Sequence, residues 1–283
     1  MNLFSSLLVS MSLLLFNTPA SPAAGENPLP ATTYRDIAYG KDSAQRMDIY
    51  LPAGRSLATT RSLVLIHGGG WNSGSKADFK SYIDSFQRRM PDYAIFNLNY
   101  RLFNGGHTFP AQEEDIKAAL DFITSRTADY AINAKRIVLL GASAGGHLAL
   151  LQAYKYSSPQ IAGVIDFFGP TDLTSMYQHP WHPMVPFALQ MVTGTTPSDN
   201  PVLYRQSSPV NFVSAQSPPT LIFHGGNDPV VNISQSEALK KKLQVAGVKN
   251  NLVVYPTQRH GWHGSTLSNS FDHIETFLKS AIH

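Results

Sequence analysis

Short apolar runs alternate with stretches of helical periodicity along most of this chain, and that rhythm constrains its fold more tightly than any other feature. The runs are RMDIYL (46–51), SLVLIH (62–67), YAIFNLNY (93–100), RIVLLG (136–141), GVIDFFG (163–169), TLIFHG (220–225) and NLVVYP (251–256). Apolar residues recur at helical spacing over 78–90, 111–128, 143–156, 234–246 and 268–282. Strands fed by helices pair in parallel, and a parallel sheet needs cover on both faces, which lets its strands be apolar throughout. The expected class is therefore α/β, a mostly parallel sheet with helices on both faces. The run YRDIAYGKDSAQRMDIYLP (34–52) contains no helix and predicts a hairpin at the sheet edge. Between Pro170 and Pro219 there is no clean strand, but there are several prolines and His179, Trp181, His182, Met184 and Phe187. A structureless loop of that length is uncommon in a compact domain, so residues 170–217 are expected to form a small helical insertion after the GVIDFFG strand.

The first residues differ in kind. Leu3 to Phe16 is apolar apart from serines, and a small, Pro-rich stretch follows. The run is shorter than the ~20 residues a membrane span takes, and small residues follow it, as at a signal-peptide cleavage site. The expected organisation is a signal peptide over 1–24, a linker over 25–33 and one catalytic domain over 34–283. Export to the periplasm or the exterior follows from it, with no stable membrane association after processing. The chain has no cysteine, so disulfides are excluded. Its 22 basic and 19 acidic residues leave a net charge of +3, with no basic run longer than Lys240–Lys242. That balance argues against nucleic acid, which needs clustered positive charge along one face.

Ligands of such sheets gather beyond the carboxyl ends of the strands. There, RIVLLG runs into GASAGGHLALL, which sets Ser143 between Gly141 and Gly145 at a strand-to-helix junction. Glycines two before and two after let strand and helix approach closely while the serine projects outward, the arrangement of a nucleophile elbow. SLVLIH runs into GGGW, and a backbone stripped of side chains can aim N–H groups at the oxyanion formed in acyl transfer. Gly68 and Gly69 are the expected donors, with the amide of Ala144; Gly70 shapes the loop and His67 anchors it. A serine nucleophile needs a base, and the base an orienting carboxylate. Asp228 and His260 stand on the loops after the last two strands, TLIFHG and NLVVYP, in the order serine, acid, histidine. His263 is the alternative base, and Asp166 and Asp172 are the alternative acids. Among the ten histidines, His147 and His224 are read as structural and His273 as a surface residue.

HGGGW (67–71), NYRL (99–102), FPAQEEDIKAAL (109–120), GASAGGHLA (141–149), DFFGPTDL (166–173), SSPVNFV (207–213), PPTLIFHGGNDPVV (218–231) and RHGW (259–262) together resemble the alpha/beta-hydrolase carboxylesterases. The likeness is strongest to the hormone-sensitive-lipase-like and the bacterial feruloyl or acetylxylan esterase branch. It implies an eight-stranded sheet, a triad of Ser143, Asp228 and His260, an oxyanion hole of Gly68, Gly69 and Ala144, and structural roles for Tyr100, Arg101 and Asp115. The chain departs from the larger lipases of that family. It has little room for an N-terminal pair of cap helices, and LFNGGHTFP (102–110) is not the usual proline-rich loop, both of which argue against long-chain lipid.

The expected activity is hydrolysis of short-chain or aryl carboxylic esters through an acyl-enzyme, with acetyl or feruloyl esters of plant polysaccharide among the candidates. Trp71 is expected to wall one side of the substrate pocket, and Trp181 and Phe187, with Met184, to cover the other. The expected partner is a small-molecule or oligosaccharide ester. No cofactor is expected. No metal is expected either, because the histidines of HPWH (179–182) have no paired helical histidines or cysteines beside them. Two competing readings are an amide hydrolase similar to the arylformamidases and a hydrolase-fold binding protein without chemistry. The sequence leaves oligomeric state open.

Overall fold

The computed structural model describes residues 28–103 and 106–282, so the expected signal peptide lies outside the described residues. The strands are β1 (Thr32–Ala38), β2 (Arg46–Leu51), β3 (Arg61–Ile66), β4 (Tyr93–Leu98), β5 (Ile137–Ala142), β6 (Ile161–Phe167), β7 (Thr220–Gly225) and β8 (Asn250–Tyr255). They form one sheet in the order β1-β2-β4-β3-β5-β6-β7-β8. β1 and β2 pair antiparallel, as do β2 and β4; every other pairing is parallel. The edge hairpin expected from the sequence is β1–β2. It begins inside the stretch expected to be linker, because Thr32 and Thr33 already pair with Leu51 and Tyr50.

The continuous apolar runs are explained by burial on both faces. β4 is buried at every position, and β3 from Ser62 to Ile66. Alternate residues feed separate cores: Val64 and Ile66 pack with α2 (Ala111–Ser125) and α4 (Ala144–Lys155), whereas Leu63 and Leu65 pack with α1 (Lys80–Arg89) and α9 (Gly264–Ala281). The helix expected over 111–128 is broken at Arg126, whose φ of −117° leaves the helical range, and a single turn, α3 (Thr127–Tyr130), follows. α9 begins at Gly264 rather than Ser268. Asp115 of α2 is fully buried and accepts from the Arg101 amide at 2.8 Å, from Arg101 Nη2 at 2.6 Å and from Gln45 Nε2 at 2.7 Å. That cluster ties α2 to the loop after β4, the structural role the resemblance implies.

The insertion consists of α5 (Leu173–Gln178), α6 (Met184–Thr193) and α7 (Pro201–Gln206), with a 3₁₀ turn over Pro209–Phe212 before α8 (Ser234–Val245) and the last strand. Asp172 and Asn200 cap α5 and α7 by accepting from the amides of Ser175 and Leu203. Leu173, Leu189, Val192 and Tyr204 anchor the insertion in the α4-side core. Met184, Phe187 and Met191 stay exposed on α6, as does Trp181 in the turn before it. No helix among the described residues is long and apolar enough to cross a membrane.

Candidate active site

Ser143 joins β5 to α4 with φ 54° and ψ −120°, a strained conformation for a residue with a side chain. The flanking glycines are required by contact. A methyl group on Gly141 would fall onto the Gly145 carbonyl, and one on Gly145 onto the Ile66 carbonyl of β3. Ser143 occupies the N-cap position of α4, yet its hydroxyl caps nothing there. It donates instead to Nε2 of His260 at 2.9 Å, and Nδ1–H of His260 donates to Asp228 Oδ2 at 2.7 Å.

Asp228 is buried, and its other oxygen accepts from the amides of Val230 at 2.8 Å and Val231 at 3.0 Å. Burial alone would raise its pKa. The hydrogen bond and charge of His260, with the two amides, outweigh it and hold the carboxyl below the usual carboxylate range. His224 braces this loop: one ring nitrogen bonds Ser236 Oγ at 2.7 Å, and the other donates to the Val231 carbonyl at 2.9 Å. The alternatives lie elsewhere. Asp166 is in the core, accepting from the Gly169 amide at 3.0 Å; Asp172 caps α5; His263 is exposed and precedes α9. His273 is half-buried and faces Phe223 at a ring distance of 6.2 Å, instead of standing at the surface.

The glycine loop lies against the nucleophile. A methyl on Gly68 would stand 2.8 Å from the Ala142 carbonyl and 3.3 Å from Cβ of Ser143. Gly69 has φ 102°, and its carbonyl accepts from the amides of Ser73 at 2.9 Å and Asn72 at 3.1 Å, which closes the loop into a turn. Among the described residues, the amides of Gly68, Gly69 and Ala144 donate to no protein acceptor. His67 anchors the loop: its ring stacks on Tyr100 at 4.3 Å, Nδ1–H donates to the Gly68 carbonyl at 2.8 Å, and the Tyr100 hydroxyl donates to the His67 carbonyl at 2.9 Å. Burial lowers the His67 pKa, which keeps the ring neutral.

Trp71, Trp181 and Phe187, the expected pocket walls, do not line the cleft over Ser143. Trp71 is only 6% exposed and packs edge-on against His147, with ring centroids 5.1 Å apart. A buried indole N–H needs an acceptor. It finds one in Nδ1 of His147 at 3.3 Å, while Nε2–H of His147 donates to the Ser207 carbonyl at 2.7 Å. His147, pushed down to about 4 by burial, stays neutral and can serve as acceptor and donor at once. Trp71 therefore pins the glycine loop to α4 and does not line the cleft over Ser143. Trp181 and Phe187 are 62% and 56% exposed, and neither lines the cleft over Ser143. The cleft, about 440 Å³, is walled by Phe79, Tyr82, Phe168 and Val230 together with the glycine loop and His260. Phe168 and Val230 stand in the DFFGPTDL and PPTLIFHGGNDPVV stretches, one residue after β6 and two after Asp228; Phe79 and Tyr82 carry no such marker. Among the described residues, no group of three or more His, Cys, Asp or Glu side chains could hold a metal ion.

Known proteins share this architecture. The chain is 28% identical to the probable carboxylic ester hydrolase LipM of Mycobacterium tuberculosis, over 85% of this chain and 60% of LipM. It is 29% identical to esterase LipQ of the same organism, over 82% of this chain and 57% of LipQ. The chain thus spans about three-fifths of the length of the curated relatives it matches. Among solved structures, a bifunctional GH43-CE protein of Bacteroides eggerthii superposes with a TM-score of 0.74 at 26% identity, covering 86% of this chain and 38% of that one. Esterase Est2 of Thermogutta terrifontis superposes with a TM-score of 0.72 at 23% identity, covering 89% and 93%, and shares the fold. The BD-FAE family model matches residues 47–243, and the chain belongs to that family of alpha/beta-hydrolase esterases.

Proposed function

We propose that the protein is a serine carboxylesterase that hydrolyses short-chain or aryl carboxylic esters through an acyl-enzyme. The observation that carries this reading is the unbroken hydrogen-bond chain from Ser143 through His260 to Asp228, set beside three backbone amides that donate to no protein acceptor among the described residues. Ser143 Oγ attacks the acyl carbon as its proton passes to Nε2 of His260, and the ionised Asp228 stabilises the imidazolium that forms. The carbonyl oxygen gains its charge facing the amides of Gly68, Gly69 and Ala144. Collapse expels the alcohol, protonated by His260; water then repeats the sequence on the acyl-enzyme and releases the acid. Acetyl and feruloyl esters of plant polysaccharide fall within this reaction class, and relatives named as ester hydrolases support the class as a whole. The apolar run Leu3–Phe16 and the small residues after it support export as part of the same proposal.

Ser143→Ala is expected to lower turnover of p-nitrophenyl acetate by about 10⁴-fold or more while the thermal midpoint stays near wild type. Retention of most of the activity would remove Ser143 as nucleophile.

A further inference from the structure

A second cavity, about 280 Å³, lies under the His260 loop between α1 and α9. Its walls include Phe79, Tyr82, Phe168, Trp262, Leu267 and Phe271. It adjoins the Ser143 cleft: Tyr82, Phe168 and His260 line both spaces. The cavity wall is mainly aromatic and aliphatic, and two of its polar groups are turned to one another, although Tyr82, His260 and His263 also line it. Trp262 Nε1–H donates to Ser270 Oγ at 2.9 Å, and that hydroxyl donates to the Thr266 carbonyl at 3.1 Å. A cavity of about 150 Å³ accommodates benzene. This one has room for an aromatic ring and several further heavy atoms. A sugar moved into it would leave water for a wall with few hydrogen-bond partners, at a cost for each hydroxyl left unpaired.

The position of His260 decides which half of an ester belongs there. In acyl transfer the carbonyl oxygen turns toward the donors of the oxyanion hole, while the departing oxygen must meet the proton held on the histidine. Here the proposed donors are on the glycine loop and at the start of α4, and the cavity is walled by His260 and the residue pair after it, Gly261 and Trp262. We propose that this cavity is the subsite for the alcohol half of the ester and that it takes an apolar alcohol of aryl or benzyl size in preference to a sugar, an inference that rests on the serine-esterase reading above. In that step the bond between acyl carbon and alcohol oxygen breaks. The oxygen keeps the bonding electrons and takes the proton from Nε2 of His260, and the apolar alcohol is released from the cavity.

Two isomeric esters separate the possibilities: benzyl acetate carries its ring on the alcohol side, and methyl phenylacetate carries it on the acyl side. Each is compared with methyl acetate as kcat/KM, in wild type and in Leu267→Trp, where the larger side chain fills the half-buried Leu267 position at the cavity wall. The benzyl acetate to methyl acetate ratio is expected to fall about tenfold or more in the variant, the scale on which pocket shape discriminates apolar groups, with the methyl phenylacetate ratio unmoved. Leu267→Ala, which enlarges the cavity, is expected to leave the benzyl ratio at or above wild type, so a fall common to both variants would signal damage to the fold rather than filling and would overturn the assignment. A tenfold fall in the methyl phenylacetate ratio would also overturn it, by giving the cavity to the acyl group; so would two unmoved ratios. Failure of the esterase reading is distinct, since wild type would then turn over none of the three esters.

Discussion

The glycine loop after β3 and the insertion after β6 each carry a tryptophan that the sequence assigns to the substrate, and the two have opposite fates. Trp71 is buried, and the loop around it is closed by hydrogen bonds: His67 to the Gly68 carbonyl, Tyr100 to the His67 carbonyl, Trp71 to His147. Trp181 stands in solvent, in a segment held to the core through Leu173, Leu189, Val192 and Tyr204 while Met184, Phe187 and Met191 face outward. Neither ring reaches the cleft. The side of the site that performs chemistry is thus set by backbone and buried polar contacts that tolerate little change. The insertion can vary on its outer face without disturbing that geometry.

The largest test of this contrast is Gly69→Ala. At φ 102° an added methyl is strained and collides with the Ser73 carbonyl. Loss of the loop geometry is expected to lower kcat for p-nitrophenyl acetate on the order of 100- to 1000-fold, with less effect on KM. A kcat near wild type would show that the loop does not supply the oxyanion donors.

Asp166, on the strand that leads into the insertion, sharpens the contrast because its closure is incomplete. Its carboxyl is fully buried, and Oδ2 has no hydrogen-bond partner among the described residues. Burial pushes the group up to about 7, against the pull of the Gly169 amide. In the unfolded chain it ionises near ~3.9. Between those values the folded protein holds a proton that the unfolded chain has lost, so stability falls as pH rises through that window and levels off above it. Asp166→Asn, which cannot ionise, is expected to show a flatter dependence of thermal midpoint on pH between about 4 and 7. Parallel curves for variant and wild type would contradict a neutral, buried carboxyl.

The smallest effects come from the two tryptophans. Trp71→Phe keeps a ring but removes the donor to His147 Nδ1, and is expected to cost about 1–3 kcal/mol in denaturant unfolding. Trp181→Phe is expected to stay within about 0.5 kcal/mol, as for exposed positions generally. Equal losses would erase the distinction between loop and insertion.

The sheet and the candidate triad are legible because each leaves a local mark. Strands buried on both faces appear as unbroken apolar runs; Ser143 and Asp228 stand in loops beyond two of them, and His260 follows the apolar but half-exposed edge strand β8. What escaped depends on distant partners. Trp71 looks like a pocket wall until His147, 76 residues away, takes its N–H. The alcohol-side cavity draws its walls from the start of α1, the residue after β6, the His260 loop and α9, and no window of sequence contains them together. The break between α2 and α3 falls in FITSRTADY, which has neither glycine nor proline to announce it.

The central claim is that His260 and Asp228 make Ser143 a nucleophile, and labelling with a fluorophosphonate followed by mapping of the modified peptide tests it most directly. The expected result is a single label on Ser143 that disappears in His260→Ala while that variant remains folded. Label on another residue, or none on folded wild-type protein, would contradict it.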